Sequence, residues 1–210
     1  MTKKYLELNE IQQKAVQHSN GPLLIAAGAG SGKTKTLTSR LIYLLESGVK
    51  PENIIAITFT NKAAKEMESR IRNKELWDKN NSHPLIHNSK FLIPFVGTFH
   101  SLGVQILKSE AGLAGRTKNF TIFDEDDSLS LVKKILADLN LSKDRFNPLA
   151  IMAKISRIKN ELLEDEEIAA ESRRHSGASQ YEKIVFSVFK KYEDTLKKSN
   201  AFDFDDLIEK

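Results

Sequence analysis

A glycine-rich loop near the amino terminus constrains this chain more than any other feature. Residues 27–34 read Ala-Gly-Ala-Gly-Ser-Gly-Lys-Thr, between the apolar run 22–26 and a segment from Leu37 onward whose leucines recur at helical spacing. Strand, loop and helix in this order are the setting of a phosphate-binding loop. Glycines let successive N–H groups point inward around a phosphate, while the following helix presents its positive end. The pattern therefore predicts an anion-binding loop.

The side chains of the loop predict a magnesium-bound nucleoside triphosphate as its ligand. Lys33 is expected to reach the β and γ phosphates as a mobile point charge. The Thr34 hydroxyl is expected to take one coordination position on Mg²⁺, which usually binds few protein ligands besides substrate phosphates. One residue departs from the strict pattern, since Ala27 stands where a glycine is usual.

A short helix is predicted upstream of the loop. Asn9 can cap it, and Ile11, Ala15 and Val16 are expected to face inward. Gln12 lies on this helix a short distance before the loop. A carboxamide donates and accepts at once, so Gln12 is a candidate for reading an adenine edge.

A second apolar run predicts the sheet. The helix after the loop is expected to end near Gly48, and residues 54–59 then read Ile-Ile-Ala-Ile-Thr-Phe. Residues 22–59 therefore predict one strand–helix–strand unit and a parallel sheet, whose ligands lie at the carboxyl ends of the strands. A third run, residues 91–96, contains Pro94, which favours an edge position or a late strand start.

Two predicted strand ends carry side chains suited to a nucleic acid. The first end is Thr58, Phe59, Thr60, Asn61 and Lys62, and the second is Gly97, Thr98, Phe99, His100 and Ser101. Thr60 or Asn61 is expected to cap the next helix, which forms a second anion site. Phe59 is either a core residue or a support for an extruded base. A lone histidine such as His100 is more often a hydrogen-bonding residue than a catalyst.

The chain from about Asp124 is predicted to be helical, with three amphipathic segments and no strand pattern between them. Asn147 followed by Pro148 starts the second of these helices. The basic residues here are interpreted as mostly solvated faces, with a minority that tracks a phosphate backbone: Lys154, Arg157, Lys159, Arg173, Arg174, Lys190, Lys191, Lys197 and Lys198. The region is therefore interpreted as a helical subdomain attached to the sheet domain.

Two acidic segments resemble a magnesium-binding strand end and are rejected for that role. Residues 120–125 run as an interrupted apolar strand into Asp124 and Glu125. Asp124 or Asp126 serves as the cap of the following helix, which explains the acid without a metal. Residues 203–206 are interpreted as the start of another helix. The acidic group that a triphosphatase needs is therefore not found in this sequence.

Composition limits the classes of function. The 210 residues carry a net charge of +4 with a pI near 9.1, a weak indication of nucleic-acid contact. No apolar run is long enough to span a bilayer, and the amino terminus lacks a signal core, so we expect no membrane partner and a cytoplasmic location. Cysteine is absent, which excludes disulfides and thiolate metal sites.

Taken in order, the motifs resemble those of the UvrD/Rep/PcrA-like superfamily 1 DNA helicases. The similar segments are residues 8–12 (Q motif), 26–34 (motif I), 58–64 (motif Ia), 97–101 (motif Ib) and 200–207, which corresponds to the segment before motif II. They cover almost the whole chain in the order of the family. The family tolerates alanine at the first loop position, which accounts for Ala27.

The resemblance implies an α/β fold: a P-loop RecA-like parallel sheet with an inserted all-helical subdomain. Residues 1–123 would form the first part of RecA-like domain 1A, residues 124–200 the helical domain 1B, and residues 201–210 the return to domain 1A. Motif II, the later motifs with arginine fingers and the second RecA-like domain do not occur in the sequence. We therefore expect a monomeric amino-terminal piece of a longer protein.

The resemblance also implies the ligands. ATP and Mg²⁺ would contact Gln12, Ala27, Gly28, Ala29, Gly30, Ser31, Gly32, Lys33, Thr34 and Lys35, with Lys33 and Thr34 acting in catalysis and Thr34 binding the metal. Single-stranded DNA and single-strand/duplex junctions would contact Thr58, Phe59, Thr60, Asn61, Lys62, Thr98, Phe99 and His100. Lys35 stands where arginine is common in the family, which would weaken its contact with the nucleotide.

The motifs and the family resemblance lead to one expected function and two alternatives. The parent is expected to be an ATP-dependent helicase that translocates 3′ to 5′, whereas this chain alone binds nucleotide and DNA weakly and turns over little ATP, because cleft closure needs both RecA-like domains. A P-loop NTPase of another class, such as a nucleotide kinase, is the first alternative. A DNA-binding module without ATP turnover is the second.

Overall fold

The computed structural model describes residues 8–72, 94–142, 145–160 and 180–210. The helices in these ranges are α1 (Glu10–Gln17), α2 (Lys33–Glu46), α3 (Asn61–Arg72), α4 (Phe99–Glu110), α5 (Glu125–Asp138), α6 (Pro148–Asn160), α7 (Gln180–Lys198) and α8 (Asp206–Glu209). The strands are β1 (Ile55–Thr58), β2 (Phe95–Thr98), β3 (Thr121–Ile122) and β4 (Ala201–Phe202). The chain divides between Phe99 and His100 into two compact units.

The first unit is built on a two-stranded parallel sheet. β1 pairs with β2 from Ile55 opposite Phe95 to Thr58 opposite Thr98. Helix α3 lies between the two strands in the sequence, as a parallel connection requires. The core beneath the sheet consists of Leu41, Ile54, Met67 and Ile71, with half-buried Leu44, Leu45, Val49, Ala56 and Val96 packed against them. The parallel pairing predicted from the sequence is confirmed.

The run before the loop does not form the predicted strand. Residues 22–28 have no strand assignment, and β1 and β2 make up the whole two-stranded sheet of this unit in the described ranges. Leu24 is 92% exposed. A strand is defined by hydrogen bonds to a neighbour, and nothing in the described part of the chain supplies one here. The prediction of a strand at residues 22–26 was therefore wrong, whereas the predictions of the following helix α2 and of strand β1 were right.

The second unit contains helices α5 to α8 and the strands β3 and β4. β3 pairs with β4 in parallel, with Thr121 opposite Ala201 and Ile122 opposite Phe202. Helices α5, α6 and α7 lie between these two strands in the sequence. Their core residues are Leu131, Val132, Ile135, Leu136, Phe146, Ile151, Ile155, Val185, Val188, Phe189, Tyr192, Leu196 and Ala201. The three predicted amphipathic helices therefore pack against each other.

The predicted helix starts of this unit are confirmed. The Asp124 side chain accepts from the backbone N–H of Asp127, whose own side chain accepts from the Asp124 N–H, which makes a capping box. The Asn147 side chain accepts from the N–H groups of Leu149 and Ala150 at the start of α6. Capping therefore explains Asp124 without a metal, although Thr121–Ile122 just before it does form a short strand.

Lys159 contradicts its assignment to a solvated basic face. The residue is 2% exposed, and its Nζ lies 2.7 Å from Glu193 Oε1, 2.8 Å from Asp203 Oδ2 and 2.8 Å from Asp206 Oδ1. Its position shares one stripe of α6 with the buried Ile151 and Ile155, at intervals of four residues. The helix therefore aims this lysine inward, and the carboxylates compensate its charge.

The acidic segment after β4 is part of this cluster rather than a simple helix start. Burial lowers the pKa of Lys159, but the carboxylates of Asp206, Asp203 and Glu193 outweigh burial and raise it above its ordinary value. Burial and the neighbouring carboxylates raise the pKa of Asp206. Burial and Asp203, which accepts from the Tyr192 hydroxyl at 2.9 Å, likewise raise the pKa of Tyr192.

No helix within the described ranges is long and apolar enough to span a membrane.

Candidate nucleotide and nucleic-acid site

The amino-terminal end of α2 lacks two features that stabilise the starts of α1 and α5. Its cap is Gly32, which has no side-chain capping bond, and its first turn carries no acid. By contrast, α1 and α5 each have a capping box and acidic residues in the first turn. The first-turn N–H groups and positive dipole end of a helix favour a negative partner. Helix α2 therefore begins in a state suited to an external anion.

The loop before α2 has the backbone shape that its glycines permit. Gly30 and Gly32 adopt positive φ values of 74° and 83°. Both conformations are strained for residues with a side chain. Elsewhere in the described chain, only Asn140 and Asn200 combine a side chain with a positive φ. Ala27 therefore lies in an ordinary backbone region, which explains why glycine is not required at this position.

The polar side chains of the loop bind its own carbonyls. Lys33 Nζ donates to the carbonyl oxygens of Ala27 at 2.8 Å and Gly28 at 2.6 Å. Ser31 Oγ also donates to Gly28 O, at 2.7 Å. Residues 27–31 and 33–35 are exposed, and Gly32 is half-buried. The Lys33 ammonium thus lies over the loop, and a phosphate oxygen would replace carbonyl oxygens as its partner.

Helix α1 brings Gln12 to the loop. Asn9 caps the helix as predicted, in a capping box where the Asn9 side chain accepts from the Gln12 N–H at 2.9 Å and Gln12 Oε1 accepts from the Asn9 N–H at 3.0 Å. Gln12 Nε2 donates to Ser31 O at 3.0 Å. A side chain at Gly32 would crowd the same Nε2 atom. Gln12 therefore lies beside the loop, and adenine recognition by this residue stays a prediction.

Ile11 was predicted to face inward and does not. It is 78% exposed, whereas Leu8 and Val16 are 4% and 1% exposed. Within α1, the buried Val16 and the half-buried Gln12 share a face because they are four residues apart. Ile11 lies about 100° from that face, at the 3.6-residue helical period.

The two predicted strand ends lie side by side. Thr58 and Thr98 are register partners at the carboxyl ends of β1 and β2. Thr58 Oγ1 donates to Thr60 O at 3.0 Å, and Thr60 Oγ1 accepts from the Ala63 N–H at 3.2 Å, so Thr60 caps α3. Asn61 and Lys62 are exposed in the first turn of that helix. The parallel register thus brings the two motifs to one edge of the sheet.

Phe59 is not a core residue. It is 92% exposed, and its ring centroid lies 5.8 Å from that of Phe99, which is 47% exposed. The rings are tilted by 51°. Of the two readings that the sequence left open, burial in the core is excluded.

His100 belongs to the second unit and contacts a different aromatic residue. Its ring centroid lies 5.1 Å from that of Phe204, at an angle of 50°. Both side chains are exposed.

Sequence reasoning missed Arg40. From α2, its Nη1 donates to the carbonyl oxygens of Ala15, Val16 and His18 at 2.9, 3.1 and 2.6 Å, at the carboxyl end of α1. An arginine seven residues after the loop lysine gives no such signal by itself, because its partners lie more than 20 residues upstream.

The described residues contain no group of three or more histidine, aspartate or glutamate side chains that could hold a metal ion. A Mg²⁺ ion that arrives with a triphosphate needs few protein ligands, and the exposed Thr34 hydroxyl at the start of α2 is the right type.

Comparison with known proteins identifies the class. Residues 8–210 match the UvrD/REP helicase N-terminal domain, and the chain belongs to this family. It is 41% identical over 208 residues to the ATP-dependent DNA helicase PcrA of Bacillus subtilis, and 41% and 40% identical over 202 residues to the PcrA proteins of Staphylococcus epidermidis and Leuconostoc citreum. Each alignment covers 96% of this chain and 25% of the relative, so the chain spans about a quarter of their length.

Proposed function

We propose that this chain is the ATP-binding amino-terminal portion of an ATP-dependent DNA helicase, which couples ATP hydrolysis to 3′–5′ translocation on single-stranded DNA and to duplex unwinding. The family match and the PcrA relatives support the helicase assignment. They argue against a P-loop NTPase of another class, such as a nucleotide kinase. The direction of translocation is taken from the resemblance of the motifs.

The observation that carries this proposal is the start of α2. A 14-residue helix without a capping side chain or a first-turn acid begins directly after a loop with two left-handed glycines. Residues 27–35 would hold the phosphates of Mg-ATP, with Lys33 neutralising the β and γ phosphates and Thr34 on the Mg²⁺. Bound Mg²⁺ supplies charge neutralisation at the transferred phosphoryl group.

The hydrogen bonds of Gln12 support adenine recognition. A glutamine carboxamide offers two acceptor lone pairs and two N–H donors. The capping box and the bond to Ser31 use one of each. One acceptor and one donor remain, which match the N6 amino group and N7 of adenine. The bonds to Asn9 N–H and Ser31 O also fix which end of the amide is oxygen.

The exposed aromatic pair supports single-stranded DNA as the partner. Phe59 and Phe99 offer ring faces beside the hydroxyls of Thr58 and Thr98 and the side chains of Asn61 and Lys62. Bases stack on such rings with about 1–3 kcal/mol per base, and the amides at the start of α3 favour a phosphate. Single-strand/duplex junctions follow from the helicase assignment.

We further propose the domain organisation implied by the resemblance: residues 1–123 as the first part of RecA-like domain 1A, residues 124–200 as helical domain 1B, and residues 201–210 as the return to 1A. The parallel pairing of β3 with β4 supports the return, because these strands flank the helices in sequence and lie together in space. It agrees with an insertion between two adjacent strands of one domain.

A binding and turnover experiment tests the proposal. Mg-ATP binding to this chain is expected by calorimetry, with loss in Lys33→Ala and retention in Lys50→Ala, an exposed lysine outside the loop. Steady-state phosphate release is expected to remain at background with and without single-stranded DNA. Robust DNA-stimulated turnover would refute the predicted inactivity of this chain, and equal ATP binding by Lys33→Ala would refute the assigned phosphate site.

A second experiment tests the DNA surface. Anisotropy of a fluorescent oligothymidine should report a loss of affinity of about fivefold or more in Phe59→Ala, because one stacked base is lost. Leu113→Ala is the matched control, since Leu113 is 87% exposed and lies away from the strand ends in the sequence. Loss of DNA affinity with retained Mg-ATP binding supports the assignment, whereas equal affinity of the two variants contradicts it. DNA binding that persists in Lys33→Ala, with no Mg-ATP binding by the wild type, would favour a DNA-binding module.

A further inference from the structure

We propose that Arg40 is a positioning residue for base recognition: it fixes α1 so that Gln12 faces the base of the bound nucleotide. The inference rests on the proposed nucleotide site and concerns a residue whose hydrogen bonds go to the end of α1. Its partners are the carbonyl oxygens of Ala15, Val16 and His18.

Arg40 closes the open end of α1. The last carbonyls of a helix have no partner within the helix. The two N–H bonds of Arg40 Nη1 serve three carbonyl oxygens there, with the shortest distance, 2.6 Å, to His18 O. A guanidinium at the carboxyl end also interacts favourably with the negative end of the helix dipole. The guanidinium is planar and presents its N–H donors in a fixed geometry, which suits a group of neighbouring carbonyl acceptors.

Helix α1 needs this anchor because it is short. It contains eight residues, and isolated helices of this length are marginal in water. Its amino-terminal end is held by the Asn9–Gln12 capping box and by the bond from Gln12 to Ser31. Its carboxyl-terminal end is held by Arg40. Gln12 and Val16 lie one turn apart on the same face, so movement at Val16 reorients the Gln12 amide.

The phosphate-binding elements do not depend on this contact in the same way. The loop bonds of Lys33 and Ser31 are local, and α2 supplies its own first turn. Loss of Arg40 is therefore expected to weaken base discrimination and to leave affinity for the triphosphate group intact. This separation distinguishes a positioning role from a purely structural one.

The test uses three probes on the whole chain: Mg-ATP, Mg-ITP and Mg-tripolyphosphate. ITP differs from ATP by an oxygen in place of the N6 amino group, so it removes the donor to Gln12 Oε1. The variants are Arg40→Gln, Arg40→Lys, Gln12→Ala and the double variant Gln12→Ala/Arg40→Gln. Arg72→Gln is the matched control, because Arg72 is exposed on α3 and its ion pair in the described ranges is with Glu68, one turn earlier on the same helix. Calorimetry gives each dissociation constant.

Arg40→Gln is expected to lower the preference for ATP over ITP by about fivefold or more, the effect of one lost hydrogen bond. Its affinity for tripolyphosphate should equal that of Arg72→Gln. Arg40→Lys should retain an intermediate preference, since one ammonium reaches fewer of the three carbonyls. In the Gln12→Ala background, Arg40→Gln should cause no further loss of preference, because the two residues act through one contact.

Other outcomes overturn the inference in distinguishable ways. A parallel loss of affinity for all three probes in Arg40→Gln, with the ATP preference retained, makes Arg40 merely structural. An unchanged preference in Arg40→Lys, together with unchanged hydrogen exchange of the α1 amides, overturns the role even if Arg40→Gln does not fold. A wild-type chain that binds all three probes equally refutes base reading by Gln12. A wild-type chain that binds none refutes the proposed nucleotide site itself.

Discussion

Replacing Lys159 with methionine removes the only positive partner that the three carboxylates of Glu193, Asp203 and Asp206 share at close range within the described residues. Lysine and methionine are similar in length and both unbranched, so the helix stripe of α6 keeps its packing. Glu193 keeps Lys210, whose Nζ lies 3.7 Å from its Oε2. Asp203 and Asp206 lose their lysine partner, and their side chains are only 7% and 0% exposed.

The expected cost is large because the carboxylates cannot move to water. Removal of one partner from a buried ion pair typically destabilises a protein by about 3–5 kcal/mol. For a chain of this size each kcal/mol lowers Tm by about 2–4 °C, so a decrease of about 6–20 °C is expected. Protonation of one carboxyl limits the loss, since burial already raises the pKa of Asp206.

Urea unfolding followed by far-UV circular dichroism measures this change. The control is Lys190→Met, the same substitution at an exposed position on α7, which is expected to change the free energy of unfolding by less than about 0.5 kcal/mol. If the free energies of unfolding of the two variants differ by less than about 1 kcal/mol, Lys159 does not compensate buried carboxylates, because breaking a typical buried ion pair costs more than that.

A second variant separates charge from packing. In Lys159→Met/Asp203→Asn, the asparagine oxygen can still accept from the Asp206 N–H and its amide can donate to the Tyr192 hydroxyl, so one negative charge is removed with most bonds kept. The double variant is therefore expected to be more stable than Lys159→Met. A further loss of stability would mean that packing, rather than charge, dominates at this site.

Three further predictions use the same assay. The stabilising contribution of Lys159 should be fully present below its unfolded pKa of about 10.4 and be lost as the pH rises through its raised folded-state pKa. The difference in free energy of unfolding between wild type and Lys159→Met should therefore hold from about pH 8 to 10 and shrink only above that range. Gly103→Ala should destabilise by about 1–3 kcal/mol, because a Cβ there meets the backbone of α8, whereas Gly112→Ala, with open space around it, should not; equal effects would refute the close approach. Asp124→Ala should cost about 1 kcal/mol through loss of the capping box, and Asp126→Ala in the same first turn is its control; a smaller loss in Asp124→Ala than in Asp126→Ala would contradict the cap assignment.

Local sequence signals predicted the structure well where the interaction itself is local. Asn9, Thr60, Asp124 and Asn147 all cap the helices that the sequence assigned to them. Each of these bonds joins residues two or three positions apart, so the residue types carry the information. The conformation of the loop glycines was predictable for the same reason, because glycine adopts a positive φ more readily than any residue with a side chain.

Interactions between distant segments were not predictable in the same way. The strand at 22–26 failed because strand formation depends on a neighbour rather than on apolar residues alone. Lys159 was misjudged because its partners Asp203 and Asp206 lie 44 and 47 residues away. Its place on the stripe of Ile151 and Ile155 was nevertheless a usable signal, since a lysine in an apolar helical stripe needs a buried partner.

The candidate site shows the same difference between features that depend on local sequence and features that depend on contacts between distant segments. The residue types of the loop and of the two strand ends were evident from the sequence, and the parallel register of β1 and β2 followed from their order. Neither the exposure of Phe59 nor the anchoring of α1 by Arg40 was evident, since both depend on how separate segments pack. Side-chain chemistry was therefore more predictable than side-chain environment.

Backbone amide NMR during a titration with Mg-ATP tests whether residues 28–34 bind the phosphates of the nucleotide. The amide resonances of residues 28–34 and the side-chain amide of Gln12 are expected to shift together and saturably. These shifts are expected to disappear in Lys33→Ala. Amides in the core of α5–α7 should remain unchanged. Saturable shifts confined to other parts of the chain, with residues 28–34 unaffected, would contradict the assignment of the loop as the phosphate site.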